Sequence, residues 1–340
     1  MVITYITLAI GLIILVKGAD SLISAASRIA EVLKMPSFII GVLVVAIGTS
    51  APEAAISIFS GIQGNNLLTL GDVVGSSIIN IALILGLTAL IFPIKADSQV
   101  FKRGLALSIA IQVLLLLMII TSNTLSRIEA IILLLGMIAF CGYLISKMSQ
   151  ISRKEKPDTI FEKELFEYIE DEEVLSGAFD EKHQRTLKKN HFMQKQLIFL
   201  ILGLAGMVIG AELVVRSAVD IAVGMGWSEE FIGFTVIAFG TSLPELVTCI
   251  VAVSKKKYSL VLGNIIGSNI FNVLFVLGIS GLLNPIVIPG REVFYDILVM
   301  IGASVLLLGL TLYYGRLSKR AGFLFIGYYS LYFAFKLSGL

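Results

Sequence analysis

Gly48-Thr49-Ser50-Ala51-Pro52-Glu53 lies inside a long hydrophobic run, and it returns as Gly240-Thr241-Ser242-Leu243-Pro244-Glu245 inside another. A carboxylate, two hydroxyls and a proline are costly in such a segment. An ionised residue at a bilayer centre costs about 2.5–3.5 kcal/mol on insertion scales. A chain that sets this feature down twice uses it, and the fold is read outward from the pair.

Of the 340 residues, 57% are hydrophobic and 15% charged, against about 45–50% and about 25% in a soluble domain. The chain is therefore read as an all-α integral membrane protein in a lipid bilayer, with no nucleic-acid partner. Runs long enough to span, at about 20 residues each, cover 2–27, 36–61, 70–92, 101–121 and 127–147. After a polar insert come 193–222, 228–253, 260–283, 292–314 and 320–338. Ten transmembrane helices are expected, five on each side of the insert. The N-terminus has neither a basic leader nor a small-residue cleavage pattern, so its run is read as the first span. Cys141 and Cys249 sit in apolar runs and are read as buried free thiols. His183 and His191 fall in the polar insert, so neither reaches the membrane core.

Short loops set the orientation. With the N-terminus outside, the inner loops hold Arg28, Lys34, Lys95, Lys102, Arg103, Lys255, Lys256, Lys257, Arg316, Lys319 and Arg320. The outer side holds only Arg127, Arg291 and Lys336. Both termini are thus expected outside a multi-pass plasma-membrane protein, with the insert in the cytoplasm.

An offset of 192 residues carries Gly18-Ala19 to Gly210-Ala211, Gly41 to Gly233, and Gly48-Thr49-Ser50 to Gly240-Thr241-Ser242. The same offset carries Pro52 and Glu53 to Pro244 and Glu245, Gly71 to Gly263, Gly75-Ser76 to Gly267-Ser268, Asn80 to Asn272 and Gly86 to Gly278. Five spans per half is an odd number, so the second half must cross upside down. The chain divides into 1–147, a first repeat with its motif at 41–86; 148–192, a cytoplasmic loop; and 193–340, a second repeat with its motif at 233–278. Inverted repeats with polar, Pro-interrupted segments in matching places point to a transport site at the midplane.

The insert carries an acidic stretch from Glu162 to Glu173 and a basic one from Lys182 to Lys189. Phe161, Leu165, Phe166 and Ile169 recur at helical spacing, which allows a short amphipathic helix. It is read as a solvated linker, since Glu170-Asp171-Glu172-Glu173 lacks the alternating ligands and glycine of a calcium loop.

On a helix, positions three, four and seven apart share a face. Ala46, Thr49 and Glu53 line one stripe, as do Ala238, Thr241 and Glu245. Pro52 and Pro244 cannot donate and press on the carbonyls of Gly48 and Gly240, so a kink with freed carbonyls is expected. In GDVVGSSIIN (71–80) and GNIIGSNIFN (263–272), Ser76 with Asn80 and Ser268 with Asn272 add oxygens at i, i+4, and the glycines allow close helix approach. Asp72 matches Asn264 and is read as a helix cap; Asp20 and Glu212 match each other and are read as structural. The ligand set is all oxygen with two carboxylates, which suits a hard cation. Calcium takes 6–8 oxygens, the same oxygens could hold sodium, and competition for one set of ligands is a physical basis for exchange.

These motifs resemble the two alpha repeats of the cation/calcium antiporter superfamily, in its sodium/calcium exchanger branch of prokaryotic type. Both GTS-x-PE motifs and both G-S-x-x-x-N segments match, and the Gly-Asn-Ala-x-Glu motif of the cation/proton branch is absent. The resemblance implies a calcium site at Glu53 and Glu245 completed by Thr49 and Thr241. It implies sodium sites at Ala46 (through its carbonyl), Thr49, Ser50, Glu53 and Ser76, and at Ala238, Thr241, Ser242, Glu245 and Ser268. Asn80 and Asn272 would flank the middle, and the first and sixth helices would slide against the other eight. The chain departs in having Asn272 where many relatives, including the potassium-dependent ones, carry aspartate. That argues against potassium co-transport.

The expected activity is export of Ca2+ in exchange for Na+ by alternating access, in a monomer that is not an enzyme and needs no resident cofactor. Ca2+/H+ exchange is an alternative, because paired buried glutamates bind protons when desolvated; a cation channel is another. An intramembrane hydrolase built on Ser50 or Ser242 has no membrane-embedded histidine and no reason for a duplicated motif.

Overall fold

A computed structural model describes residues 2–63, 66–96, 98–152, 181–226, 238–288 and 292–337. In lipid each backbone polar group must be satisfied within its own segment, so the apolar runs fold as helices. In chain order these are α1 (Val2–Val32), α2 (Ser37–Thr49), α3 (Ala51–Ile62), α4 (66–91), α5 (Gln99–Ser122) and α6 (Arg127–Ser152). There follow α7 (Glu181–Gly224), α8 (Ala238–Thr241), α9 (Leu243–Ser254), α10 (Tyr258–Leu283), α11 (Glu292–Tyr314) and α12 (Lys319–Leu337).

Among the described residues, seven helices are long and apolar enough to cross a membrane, or eight when α2 and α3, bent by 51°, count as one span. The seventh expected run falls partly in 227–237, outside the described residues. The tenth is helical, but with Tyr328, Tyr329, Tyr332 and Lys336 in it α12 is not among those seven. The described part of α7 reaches back to Glu181, earlier than expected, and takes in the basic end of the insert. The acidic stretch and the amphipathic helix expected around Phe161 to Ile169 lie outside the described residues.

Burial sorts the helices into centre and rim. The most apolar window of α10 is 94% buried and that of α6 only 22%. α10 is the axis, packed against α2, α6 and α9, and α4 packs against α3 and α12. Large apolar side chains such as Ile13, Leu117, Ile138 and Tyr313 face outward from the rim helices, the inverse of a soluble surface and the form a lipid solvent selects. Cys249 is buried as expected, whereas Cys141 is only partly covered; both are free.

Two short ladders tie the halves together. Ile94 and Lys95 (β1) pair with Leu317 and Arg316 (β4), and Thr124 and Leu125 (β2) pair with Val287 and Ile286 (β3). The 192-residue offset turns β1 into β3 and β2 into β4, and so converts one ladder into the other, register included. It also relates the left-handed turn at Lys34 (φ 52°) to Gly226 (φ 80°), and that at Asn123 (φ 51°) to Gly315 (φ 62°). Two of these four positions are glycine, which adopts positive φ without steric cost.

The long helices α1 and α7 meet backbone to backbone. A Cβ on Gly18 would lie 2.7 Å from the Met207 nitrogen, and one on Gly203 would lie 2.7 Å from the Leu22 nitrogen. Small residues allow such close approach in membranes, where packing replaces the hydrophobic effect as the drive for association. Close approach is also found at Gly263 and Gly267, against Phe38 and Val42. At Gly71 and Gly75 no contact forms among the described residues.

Candidate cation site

The repeated stretches break their helices outright instead of kinking them. Ser50 (φ −87°, ψ 9°) separates α2 from α3, and Ser242 (φ −90°, ψ 5°) separates α8 from α9. Pro52 and Pro244 then fall in the first turn of the new helix. A missing N–H costs nothing there, because first-turn N–H groups have no intrahelical partner. Glu53 and Glu245 occupy the same first turns, where the positive end of the helix dipole favours a carboxylate. The kink expected from proline is thus a complete break two residues earlier.

The carboxylates are buried, Glu53 and Glu245 each at 1% exposure. Ser50 Oγ donates to Glu245 Oε1 at 3.1 Å, joining the two motifs directly. Thr49 Oγ1 lies 3.2 Å from the Ala46 carbonyl and 3.2 Å from Asn264 Oδ1. Asn272 Nδ2 donates to Ser76 Oγ at 3.1 Å, and Asn80 Nδ2 donates to Asn269 Oδ1 at 3.1 Å. Both asparagines sit where the chain widens into a π-helical turn, Ile79–Leu85 in α4 and Asn272–Val276 in α10. Such turns disturb the regular ladder and recur at functional sites. Ala238 lies in α8 and Thr241 closes it, one residue before Ser242.

Eight buried side-chain oxygens among the described residues have no hydrogen-bond partner. Six belong to this set: Glu53 Oε2, Glu245 Oε2, Ser242 Oγ, Ser268 Oγ, Asn80 Oδ1 and Asn272 Oδ1. An unsatisfied buried polar group costs about 1–3 kcal/mol. Six together reach about 6–18 kcal/mol, comparable with the whole stability of a typical domain at about 5–15 kcal/mol. Oxygens that accept and find no donor are what a bare cation requires.

The two half-sites are unequal. Ser50 reaches Glu245, whereas Ser242, its counterpart, has no partner. Ser76 receives Asn272, whereas Ser268 has no partner because Asn80 turns to Asn269 instead. Asn269, fully buried, also donates to the Ser77 carbonyl at 3.3 Å. Sequence reading missed it because its repeat counterpart is Ser77, and the motif was recognised by identities.

Asp72 is not a helix cap. The described part of α4 reaches back to Asn66 and α10 to Tyr258, so Asp72 and its counterpart Asn264 each lie one to two turns inside a helix. Asp72 accepts from Ser57 Oγ at 3.3 Å, and Asn264 is fully buried as the acceptor for Thr49. Asp20 and Glu212 are ion-paired, to Lys255 and Arg216.

Comparison with known proteins gives the chain a family and its fold a counterpart. A family model described as sodium/calcium exchanger protein matches residues 3–146 and 195–338. The sodium/calcium exchanger MaX1 of Methanosarcina acetivorans is 35% identical over 322 residues, covering 90% of each chain. The inner membrane protein YrbG of Escherichia coli is 33% identical over 299 residues, covering 88% of this chain and 86% of that one. Among solved structures, the sodium-calcium exchanger NCX_Mj soaked with 10 mM Na+ superposes with a TM-score of 0.79 at 30% identity, covering 98% of this chain and 99% of that one.

Proposed function

The chain belongs to the sodium/calcium exchanger family, and from that premise we propose that it exports Ca2+ in exchange for Na+ by alternating access. Its architecture is ten transmembrane helices in two inverted five-helix repeats, with both termini outside and the 148–192 loop in the cytoplasm. The exchanged ladders and the matched left-handed turns support the repeat.

The observation that carries the reading is the convergence of six unpartnered buried oxygens on residues singled out by their spacing. Glu53 and Glu245 supply the charge of one divalent ion. Thr49, Thr241, Asn80 and Asn272 add neutral oxygens around it. Ser50, Ser76, Ser242 and Ser268, with the carbonyls of Ala46 and Ala238, complete positions for sodium. When sodium occupies these oxygens calcium cannot, and an empty pair of carboxylates resists burial in the closed state.

Calcium-loaded proteoliposomes test the coupling. An inward sodium gradient should drive calcium out with movement of net charge. Flux that follows a proton gradient and ignores sodium would replace this reading with Ca2+/H+ exchange, which the unpartnered Oε2 atoms of both glutamates could serve. Steady calcium current independent of any counter-ion would indicate a channel.

A further inference from the structure

The 192-residue relation between the halves also fails away from the ion site. In the second half, α11 and α12 are stitched to each other: Tyr328 donates to the Val299 carbonyl at 2.8 Å, Tyr332 to Asp296 Oδ1 at 3.1 Å, and Lys336 pairs with Asp296 Oδ2 at 2.8 Å. The counterparts of Asp296, Tyr328, Tyr332 and Lys336 are Gly104, Gly136, Phe140 and Leu144. None of these four side chains can form such a bond, and two are absent altogether. Between α5 and α6, floored by Ile266, Ile270 and Leu274 of α10, lies a cavity of about 950 Å³. That is at the upper end of the range for small-molecule sites, about 300–1,000 Å³.

Shape and charge select the occupant. The groove runs along α5 from Gln99 to Leu114, and its stretch below Arg103 rises about 16 Å at 1.5 Å per residue. One leaflet of a hydrocarbon core of about 30 Å has nearly the same depth. Its walls are apolar except at one end, where Ser98, Gln99 and Arg103 gather. Arg103 is exposed and makes no hydrogen bond or ion pair among the described residues. A guanidinium beside hydroxyl and amide groups, at the mouth of an acyl-length apolar groove, matches a phosphodiester with its chain below.

We propose that this groove holds an anionic glycerophospholipid, with one acyl chain between α5 and α6 against α10 and the phosphate on Arg103. The lipid takes the place that Tyr328, Tyr332 and the Asp296–Lys336 pair fill in the other half. It supports the flank of α10, the helix that carries Asn272 and Ser268, from a position outside the ion site.

Gly136→Tyr tests the site, because the nearest atom to a Cβ there is the flexible tip of Leu274 at 3.3 Å. The full-length protein is equilibrated in mixed phosphatidylglycerol and phosphatidylcholine vesicles, extracted in detergent, washed, and weighed intact by native mass spectrometry. The wild type should retain one phosphatidylglycerol per chain. Gly136→Tyr should lose it at least tenfold, and Arg103→Ala should retain lipid without preferring phosphatidylglycerol. A photoactivatable acyl chain on phosphatidylglycerol should label Ile270 or Leu274 in the wild type, a readout that stands even if Gly136→Tyr does not fold. Equal retention by folded Gly136→Tyr, unchanged preference in Arg103→Ala, labelling elsewhere, or retention of a sterol, quinone or free fatty acid in place of the phospholipid would each overturn the proposal.

Discussion

Ser50 Oγ donates to Glu245 Oε1 at 3.1 Å although 195 residues separate them, while Ser242, the repeat counterpart of Ser50, has no partner. The hydroxyl that is engaged and the one that is idle have different consequences when removed. A hydrogen bond to a charged group is worth about 1.5–3 kcal/mol. Ser50→Ala should lower thermal stability by that order and weaken calcium exchange, because Glu245 loses its positioning donor. Ser242→Ala removes an unsatisfied oxygen and should leave the ion-free protein as stable or more so, while reducing sodium-driven exchange. Thermal unfolding without ions, set beside flux in liposomes, checks both; a loss of stability in Ser242→Ala would contradict the assignment.

Glu53→Gln and Glu245→Gln keep shape and remove one of two charges. Each should reduce calcium exchange by at least a hundredfold in both directions. A ligand that binds only the folded state stabilises it in proportion to the logarithm of its concentration over Kd. Calcium should therefore raise the unfolding temperature of the wild type and leave either variant unmoved, which separates lost binding from lost folding. Substantial exchange by either variant would remove the proposed site.

Asn272 donates to Ser76 and leaves its own Oδ1 without a partner. Asn272→Asp would add a third carboxylate and lose that donor. Ser76 can reverse its hydroxyl to donate instead, so the geometry survives. The variant should bind calcium more tightly or acquire sensitivity to external potassium, read as a shift in the half-saturating calcium concentration. No change in either would place Asn272 outside the coordination sphere.

Lys255 Nζ lies 2.7 Å from Asp20 Oδ1 and 2.6 Å from Ser24 Oγ, and Lys257 pairs with Glu31 at 3.3 Å. These contacts clamp α1 to the turn between α9 and α10. Partly exposed pairs are worth about 0.2–1 kcal/mol. Lys255→Ala should change the apparent exchange rate by up to about fivefold. The difference should fade as ionic strength rises and the pair is screened in the wild type. A salt-independent effect would point to packing instead of charge.

Much of this was legible from the residues. The offset of 192 could be read because the halves align without a gap, and the candidate oxygens stood out by their cost in lipid. Asp72 was misread because a helix start in a fully apolar run carries no cap to mark it. Asn269 was invisible because its counterpart differs, and the groove was invisible for the same reason. Gly136 and Tyr328 share no chemistry, and only contacts show that one leaves the space the other fills.

The paired ladders also restrict how this molecule can move. Each one staples a segment of the first half to a segment of the second, β1 to β4 and β2 to β3. A clamshell opening of half against half would tear both staples at once. α1 and α7 carry no strand of either ladder, and they pack against each other along bare glycine backbone. The frame is a closed hoop, and the sliding of α1 and α7 that the proposed mechanism calls for would leave both of its staples whole.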